Sequence, residues 1–421
     1  MGAGQLGADE GLIVASSFTW MDYAEEERRQ VLDVITLFSE RETRDELGIG
    51  SIRDNLADLL FPGTSVIQTR ARYFLFIPWV YLELERLRVP SSDIARRARR
   101  AETALVEPLS HSDNPRGIIG IAARLRLKRL ASNVYWQGLG RWGIRVFRGS
   151  QERYHHSLDR FYAGARDRLR NDDGEPLDEA ASANWHLGLP PSPKDFPQGI
   201  SFRLSRLEAN YLRDRLLAHA PGTLLTRLVD DGTSFESVKF PWGHPLAFEL
   251  PPQLSSQLEH ARNFSDSMHG AVLVYNFMLG GLSGREDRVE HYRTALEEWS
   301  ALVARRGEAL SKWDREDFWG TASSAGYAIP LATKQFVNRW LDVGLPAGIS
   351  RSRVETDGGI QDLVAHRERF LKRDRSRLTN PRALEHWPGS AGDQQLAYRW
   401  GTVQQIVWDI VAGLRSGESD A

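Results

Sequence analysis

The sequence predicts a mainly α-helical protein with two helical lobes, a Pro/Gly-rich linker between them and at most one short β-hairpin. Apolar residues recur at helical spacing through most of the 421 residues. Helix breakers gather between these stretches, most densely in residues 171–200. The chain also exceeds the size at which one hydrophobic core stops growing. We therefore predict an N-terminal lobe over residues 1–170 and a Trp-rich C-terminal lobe over residues 201–421.

The first predicted helix runs from about Tyr23 to Glu40. Asp22 and Glu25 provide an N-cap carboxylate and an acidic third position, and apolar residues follow at helical spacing. A second helix begins at Ser51 and ends before the Phe-Pro-Gly sequence at residues 61–63. The glycine turn between them lacks the preceding strand and the Lys-Ser/Thr pair of a phosphate loop, so we interpret it as a simple turn.

The aromatic stretch from Thr69 to Tyr81 predicts a buried helix that continues to Arg88. Pro78 is expected to kink this helix or to mark its boundary. Arg70 and Arg72 flank the aromatic residues. They could present a guanidinium pair to an anion, or bind the free carbonyls of a helix end, and the second interpretation is favoured.

Charge is unevenly distributed along the chain. From Asp9 to Asp58 there are thirteen acidic residues and five arginines, a local net charge of −8. From Arg88 to Arg148 there are thirteen basic and four acidic residues, a local net charge of +9. Such a basic block attracts a polyanion, because neutralising phosphates drives nucleic-acid binding at any sequence. The alternative is that the acidic segment folds against the basic one.

Two basic helices are predicted within the basic block. The first spans Ser91 to Leu105, and the second follows Pro115 and precedes an aromatic stretch rich in helix breakers at residues 133–143. The pair is compatible with a helix-turn-helix-like module. The candidate nucleic-acid contacts are Arg96, Arg97, Arg100, Arg124, Arg126, Lys128, Arg129 and Arg141.

The C-terminal lobe is predicted to be helical around an irregular segment at residues 230–252. Its first helix begins at Ser205, where Glu208 completes a capping box. A second basic run, from Arg367 to Arg377, holds six basic and two acidic residues. The further predicted helices are 256–279, 285–306, 330–341, 360–373 and 394–414.

Composition excludes several kinds of chemistry. The chain has no cysteine, which rules out disulfides, thiolate nucleophiles and thiolate metal sites and favours a reducing cytoplasm. No secretory pattern occurs in the first eleven residues, and no apolar stretch approaches the roughly 18 residues that span a bilayer. We therefore predict a cytoplasmic protein with no membrane partner.

No familiar catalytic motif is present. A nucleophile elbow, a Walker loop, a dinucleotide fingerprint, a His-Glu-x-x-His pair and an EF-hand loop are all missing. We therefore assign no catalytic residue, no cofactor and no metal, and the balance favours a protein that is not an enzyme. A site assembled from distant residues stays open, because motif searches detect only local spacing.

One pattern supports an alternative. Ribonucleases of the helical HEPN type carry an arginine followed at short spacing by a histidine, and Arg262 and His269 fit this pattern. The histidine could act as acid or base and the arginine could stabilise phosphorane charge. Three other pairs meet the same spacing, so the pattern has little specificity: Arg148 and His155, Arg213 and His219, and Arg285 and His291.

Several segments carry a resemblance to a known family. They are residues 45–54, 60–65, 69–79, 134–139, 142–144, 269–271, 275–276 and 398–400. On these segments the chain resembles an uncharacterised bacterial helical family of unknown function that is found in DISARM-like antiphage defence neighbourhoods. The resemblance implies an accessory subunit, with the chemistry supplied by neighbouring helicases and phospholipase-D-like nucleases. It implies no catalytic residues.

These observations lead to three hypotheses. The first is a non-enzymatic subunit of an antiphage defence complex that binds a helicase or other defence subunits, and DNA through its basic N-terminal lobe. The second is a HEPN-like ribonuclease that uses Arg262 and His269. The third is a sequence-reading regulator with a helix-turn-helix.

Overall fold

Helices dominate the computed structural model, which describes residues 45–121, 129–168, 183–233 and 237–416. These ranges contain no strand, and their single isolated bridge pairs Arg145 with Trp185. The predicted mainly α-helical class is therefore confirmed. The predicted helix at 23–40 and most of the second predicted basic helix, including residues 122–128, lie outside the described residues.

The first part of the described chain consists of helices that surround an aromatic core. Helix α2 passes through Pro78 without ending, so Pro78 does not mark a helix boundary. Helix α5 runs through the stretch that its glycines predicted to be broken, because its aromatic residues pack on α2; the rings of Phe74 and Tyr135 meet edge to face with centroids 4.9 Å apart. The helices are α1 (Gly50–Leu60), α2 (Tyr73–Arg86), α3 (Ser91–Ala104), α4 (Val106–Ser110), α5 (Ala131–Arg141) and α6 (Gln151–Arg168).

The remaining helices follow residue 200. They are α7 (Arg206–His219), α8 (Leu224–Asp231), α9 (Pro252–Leu282), α10 (Glu286–Arg305), α11 (Gly307–Ser311), α12 (Arg315–Ser324), α13 (Leu331–Ile349), α14 (Gly358–Lys372), α15 (Pro381–Glu385) and α16 (Trp400–Arg415). The capping box at Ser205 is confirmed, since its backbone N–H donates to Glu208 Oε2 at 2.9 Å and its hydroxyl accepts from the Glu208 N–H at 3.2 Å. Helix α16 begins later than predicted, after Tyr398 and Arg399 adopt positive φ angles.

Trp299 lies at the centre of the packing between α9, α10 and α13. Its ring is buried, and its indole N–H donates to the Asp266 carbonyl at 2.7 Å. Gly270 on α9 and Gly348 on α13 make room for it: a Cβ atom at either position would lie within 2.4 Å of the ring. The three helices therefore pack at the close distance that glycine permits.

Two buried ion pairs connect the beginning of α2 to the C-terminal half of the chain. Arg70 Nη2 lies 2.8 Å from Asp409 Oδ1 on α16, and Arg72 Nη2 lies 2.7 Å from Glu208 Oε1 on α7. The buried apolar residues of both halves also form one continuous cluster. The division into two lobes at residues 171–200 stays a prediction. Among the helices described, none is both long and apolar enough to cross a lipid bilayer.

Candidate nucleic-acid interface and charged cavity

Helix α3 presents arginines on the side that faces away from the core. Its buried residues are Ile94, Ala98 and Glu102, four residues apart. At 100° per residue, Arg96 and Arg100 lie on the opposite side of the helix. Both side chains are exposed, as are those of Arg97 and Arg99. The sequence folds this way because the apolar side of α3 packs on α2 and α6.

The exposed face of α3 carries a net positive charge. Arg96, Arg97 and Arg100 stand beside one acidic residue, Asp93, and these four side chains have a net charge of +2. Arg96 and Arg97 both approach Asp93, at 2.6 and 3.3 Å, while 66% and 51% of their side-chain surface stays exposed. Such exposed ion pairs contribute about 0 to 1 kcal/mol, so they hold the guanidinium groups only weakly.

The other predicted basic contacts divide into three groups. Arg129 is exposed next to the first turn of α5, where the Ser132 N–H donates to Glu102 Oε2 in the last turn of α3 at 2.8 Å. Arg129 therefore lies near the end of the basic face. Arg141 is also exposed, but at the opposite end of α5, beside Gly63. Outside the described residues lie Arg124, Arg126 and Lys128.

Arg70 and Arg72 have a structural role that spacing alone did not show. Each binds a buried carboxylate, and each also donates to a carbonyl: Arg70 Nη1 to Arg116 at 3.0 Å and Arg72 Nη1 to Ser201 at 2.8 Å. Helix-end carbonyls were the expected partners, whereas the carbonyls of Arg116 and Ser201 belong to segments between helices, and the carboxylate partners were not expected. Both guanidinium groups are thus committed within the protein.

Arg262 and His269 of the ribonuclease alternative lie on α9, two helical turns and about 10 Å apart along its axis. Arg262 Nε lies 3.9 Å from Asp266 Oδ2, in a cluster with Arg306. His269 Nε2 instead contacts the Asp393 carbonyl at 2.9 Å, and burial lowers the pKa of its imidazole. The structure gives the two side chains different partners, and the ribonuclease hypothesis stays a prediction.

His269 lines a small cavity of about 100 Å³ whose wall includes Asp45, Glu46 and Arg53. Asp45 Oδ1 accepts the backbone N–H groups of Leu47 and Gly48, at 3.3 and 3.0 Å. Its Oδ2 atom is buried without a partner among the described residues. Burial raises the pKa of this carboxyl.

Glu46 also belongs to a second, larger cavity of about 300 Å³, which we call the Glu46 cavity. Its remaining lining residues are Glu368, Lys372, Arg375, Arg377 and Ala383. Lys372, Arg375 and Arg377 come from the second basic run of the sequence. Composition indicated this run, but its pairing with Glu46, more than 300 residues away, could not be derived from spacing.

The arrangement can bind charged groups. Among the described residues, no three His, Asp or Glu side chains are placed to hold a metal ion. The fold and these surfaces define a helical protein with an exposed basic helix and a separate charged cavity.

The chain belongs to a family of unknown function, DUF6361, whose model matches residues 15–413. The predicted membership of an uncharacterised family is confirmed by this match. No curated protein and no solved structure matches the chain.

Proposed function

We propose that this chain is a non-enzymatic, cytoplasmic subunit of a bacterial antiphage defence complex, which binds DNA through the exposed face of α3 and also binds a helicase partner. The observation that carries the DNA-binding part is the row of exposed arginines on α3, in which Arg96 and Arg97 pair only weakly with Asp93. The helicase and defence parts are supported by the resemblance to a family found in such neighbourhoods.

The expected mode of DNA binding follows from the kind of contacts that α3 offers. Arginine side chains on one helix face bind phosphate oxygens of the backbone, which are the same at every sequence. Their weak pairing with Asp93 leaves them available for phosphates. We therefore expect binding with little sequence preference, in contrast to a sequence-reading regulator.

DNA binding is tested by fluorescence anisotropy with a labelled DNA duplex and the full chain. Replacing Arg96, Arg97 and Arg100 together by Ala is expected to weaken binding about tenfold or more, because three phosphate contacts are lost. The matched control replaces three exposed arginines elsewhere, Arg227, Arg305 and Arg382, which have no side-chain partner among the described residues. Equal losses in both triple variants, or no binding by the wild type, would contradict the proposal.

The helicase partner is tested by co-purification. A tagged chain expressed with its neighbouring genes is expected to retain a helicase after washing in moderate salt, and the retained protein is identified by mass spectrometry. Purification of the chain as a lone species from those cells would rule out this part of the proposal. The DNA-binding part of the proposal is tested separately by the anisotropy measurement.

A further inference from the structure

The second basic run brings three cationic side chains to the Glu46 cavity. The run begins with Arg367, which is buried and donates to the Leu47 carbonyl at 2.9 Å and to the Thr333 hydroxyl at 2.8 Å. After α14 ends, Arg373 takes a φ angle of 49°, a region that non-glycine residues seldom adopt. The following segment folds back on the helix, since the Arg377 N–H donates to Glu368 Oε1 at 2.7 Å.

The two carboxylates of the cavity are already occupied by partners. Glu46 is held by Lys372 Nζ at 3.0 Å and by Arg377 Nη1 at 2.8 Å. Glu368 is fully buried and accepts the Ser376 hydroxyl as well as the Arg377 backbone N–H. These contacts give every oxygen atom of the two carboxylates a partner.

Arg375 is the third cation of the cavity lining, after Lys372 and Arg377. It is exposed, it lines the cavity, and it has no acidic partner among the described residues. Three cations against two carboxylates leave the lining with a net charge of +1. Two of its members carry guanidinium groups, whose planar fork of donors suits the oxygens of a phosphate.

We propose that the Glu46 cavity binds the phosphate monoester of a small molecule, with Arg375 as the principal contact and Arg377 and Lys372 behind it. The volume of about 300 Å³ exceeds the size of a single phosphate group. It lies at the lower end of the range for small-molecule sites, so an organic group the size of a nucleoside fits the remaining space. The site shares no residue with the DNA-binding face of α3.

The proposal is tested by isothermal titration of the full chain with AMP, adenosine and inorganic phosphate. AMP is expected to bind and adenosine is not. Arg375→Ala is expected to weaken AMP binding by about tenfold or more, which is the usual effect of losing a hydrogen bond to a charged group. Arg375→Lys keeps the charge without the planar fork of donors. Its affinity for AMP is expected to lie between those of the wild type and Arg375→Ala. The control is Arg369→Ala, an exposed arginine of α14 outside the cavity.

The titrations distinguish a phosphorylated small molecule from free phosphate as the ligand. Binding of AMP more tightly than inorganic phosphate supports a phosphorylated small molecule, and equal binding of both supports a site for the phosphate group alone. The proposal would be overturned if neither AMP nor inorganic phosphate gave a heat of binding at about 10 mM, because a weaker affinity than that is too low for a ligand site. It would also be overturned if Arg375→Ala and Arg369→Ala weakened binding equally. Both side chains are exposed, so unchanged melting temperatures confirm that the variants fold.

Discussion

Glu102 shows how one buried side chain joins the basic helix to its neighbour. Its Oε2 atom accepts the Ser132 N–H, whereas Oε1 is buried without a partner among the described residues. Burial raises the pKa of this carboxyl from 4.5 to about 7. The contact between α3 and α5 therefore includes a group that changes charge near neutral pH.

The raised pKa of Glu102 predicts that the free energy of unfolding falls as pH rises. Between about pH 4.5 and 7 the folded state binds more protons than the unfolded state, so the free energy of unfolding decreases across that window. The decrease is on the order of 3 kcal/mol for this shift, from 1.36 kcal/mol per pKa unit. Glu102→Gln removes the titration and keeps an acceptor. We expect it to be more stable than the wild type at pH 8 and to depend less on pH.

Urea unfolding at pH 5 and pH 8 measures this effect. Glu107→Gln provides the control, because Glu107 is an exposed glutamate on the neighbouring helix α4. The control should keep the pH dependence of the wild type. If Glu102→Gln also kept it, the ionisation of Glu102 would not be its source.

Local signals in the sequence predicted the partners of some residues and did not predict those of others. The capping box at Ser205 needs only two residues three apart, and it forms as predicted. Arg70 finds its carboxylate on Asp409, 339 positions away. Its spacing from the aromatic residues gave no information about that partner, because the fold alone brings the two residues together.

At the scale of elements, the close approach of α9, α10 and α13 depends on Gly270. A Cβ atom there would lie 2.3 Å from the Trp299 ring, which also lies against Gly348. Gly270→Ala is therefore expected to destabilise the protein by about 1 to 3 kcal/mol through overpacking. The measurement is chemical unfolding.

The control for this prediction is Gly320 on α12, where an added Cβ would meet nothing within 4 Å. Gly320→Ala is expected to be neutral or to stabilise the helix by up to about 1 kcal/mol. Equal effects of the two substitutions would show that backbone entropy, and not contact with Trp299, determines the result.

Helices with strong periodicity were predictable from the sequence, and those shaped by contacts were not. Helix α3 follows the predicted bounds within one residue, because its arginines and apolar residues separate cleanly. Helix α5 contains two glycines and was expected to be broken. Packing of Phe74 against Tyr135 supplies stabilisation that its local sequence lacks.

At the scale of the whole molecule, the Glu46 cavity joins distant parts of the chain. The sequence indicated the basic run, Arg367 to Arg377, that supplies the three cations of this cavity. It did not indicate the partners of these cations. Glu46 comes from the first described residues, and the Tyr275 hydroxyl of α9 lies 3.5 Å from Glu46 and 3.4 Å from Glu368. A site of this kind appears only after the chain has folded.

Residues that carry the family resemblance make contacts with distant parts of the folded chain. Asn276 binds both the N–H and the carbonyl of Ala391, at 2.8 and 2.9 Å, and Tyr398 donates to the Ala261 carbonyl at 2.7 Å. Arg399 contacts Asp58 on α1. The resemblance therefore covers residues that hold α1, α9 and the approach to α16 together, and it does not by itself assign a ligand.

The central claim is that the protein holds DNA by its phosphates through α3. The most direct measurement is the salt dependence of DNA affinity for the wild type and for the variant with Arg96, Arg97 and Arg100 replaced by Ala. Each phosphate contact contributes about 0.9 to the slope of log affinity against log salt concentration. We predict a linear decrease in affinity for the wild type and a slope smaller by about 3 for the variant. An unchanged slope would contradict the claim.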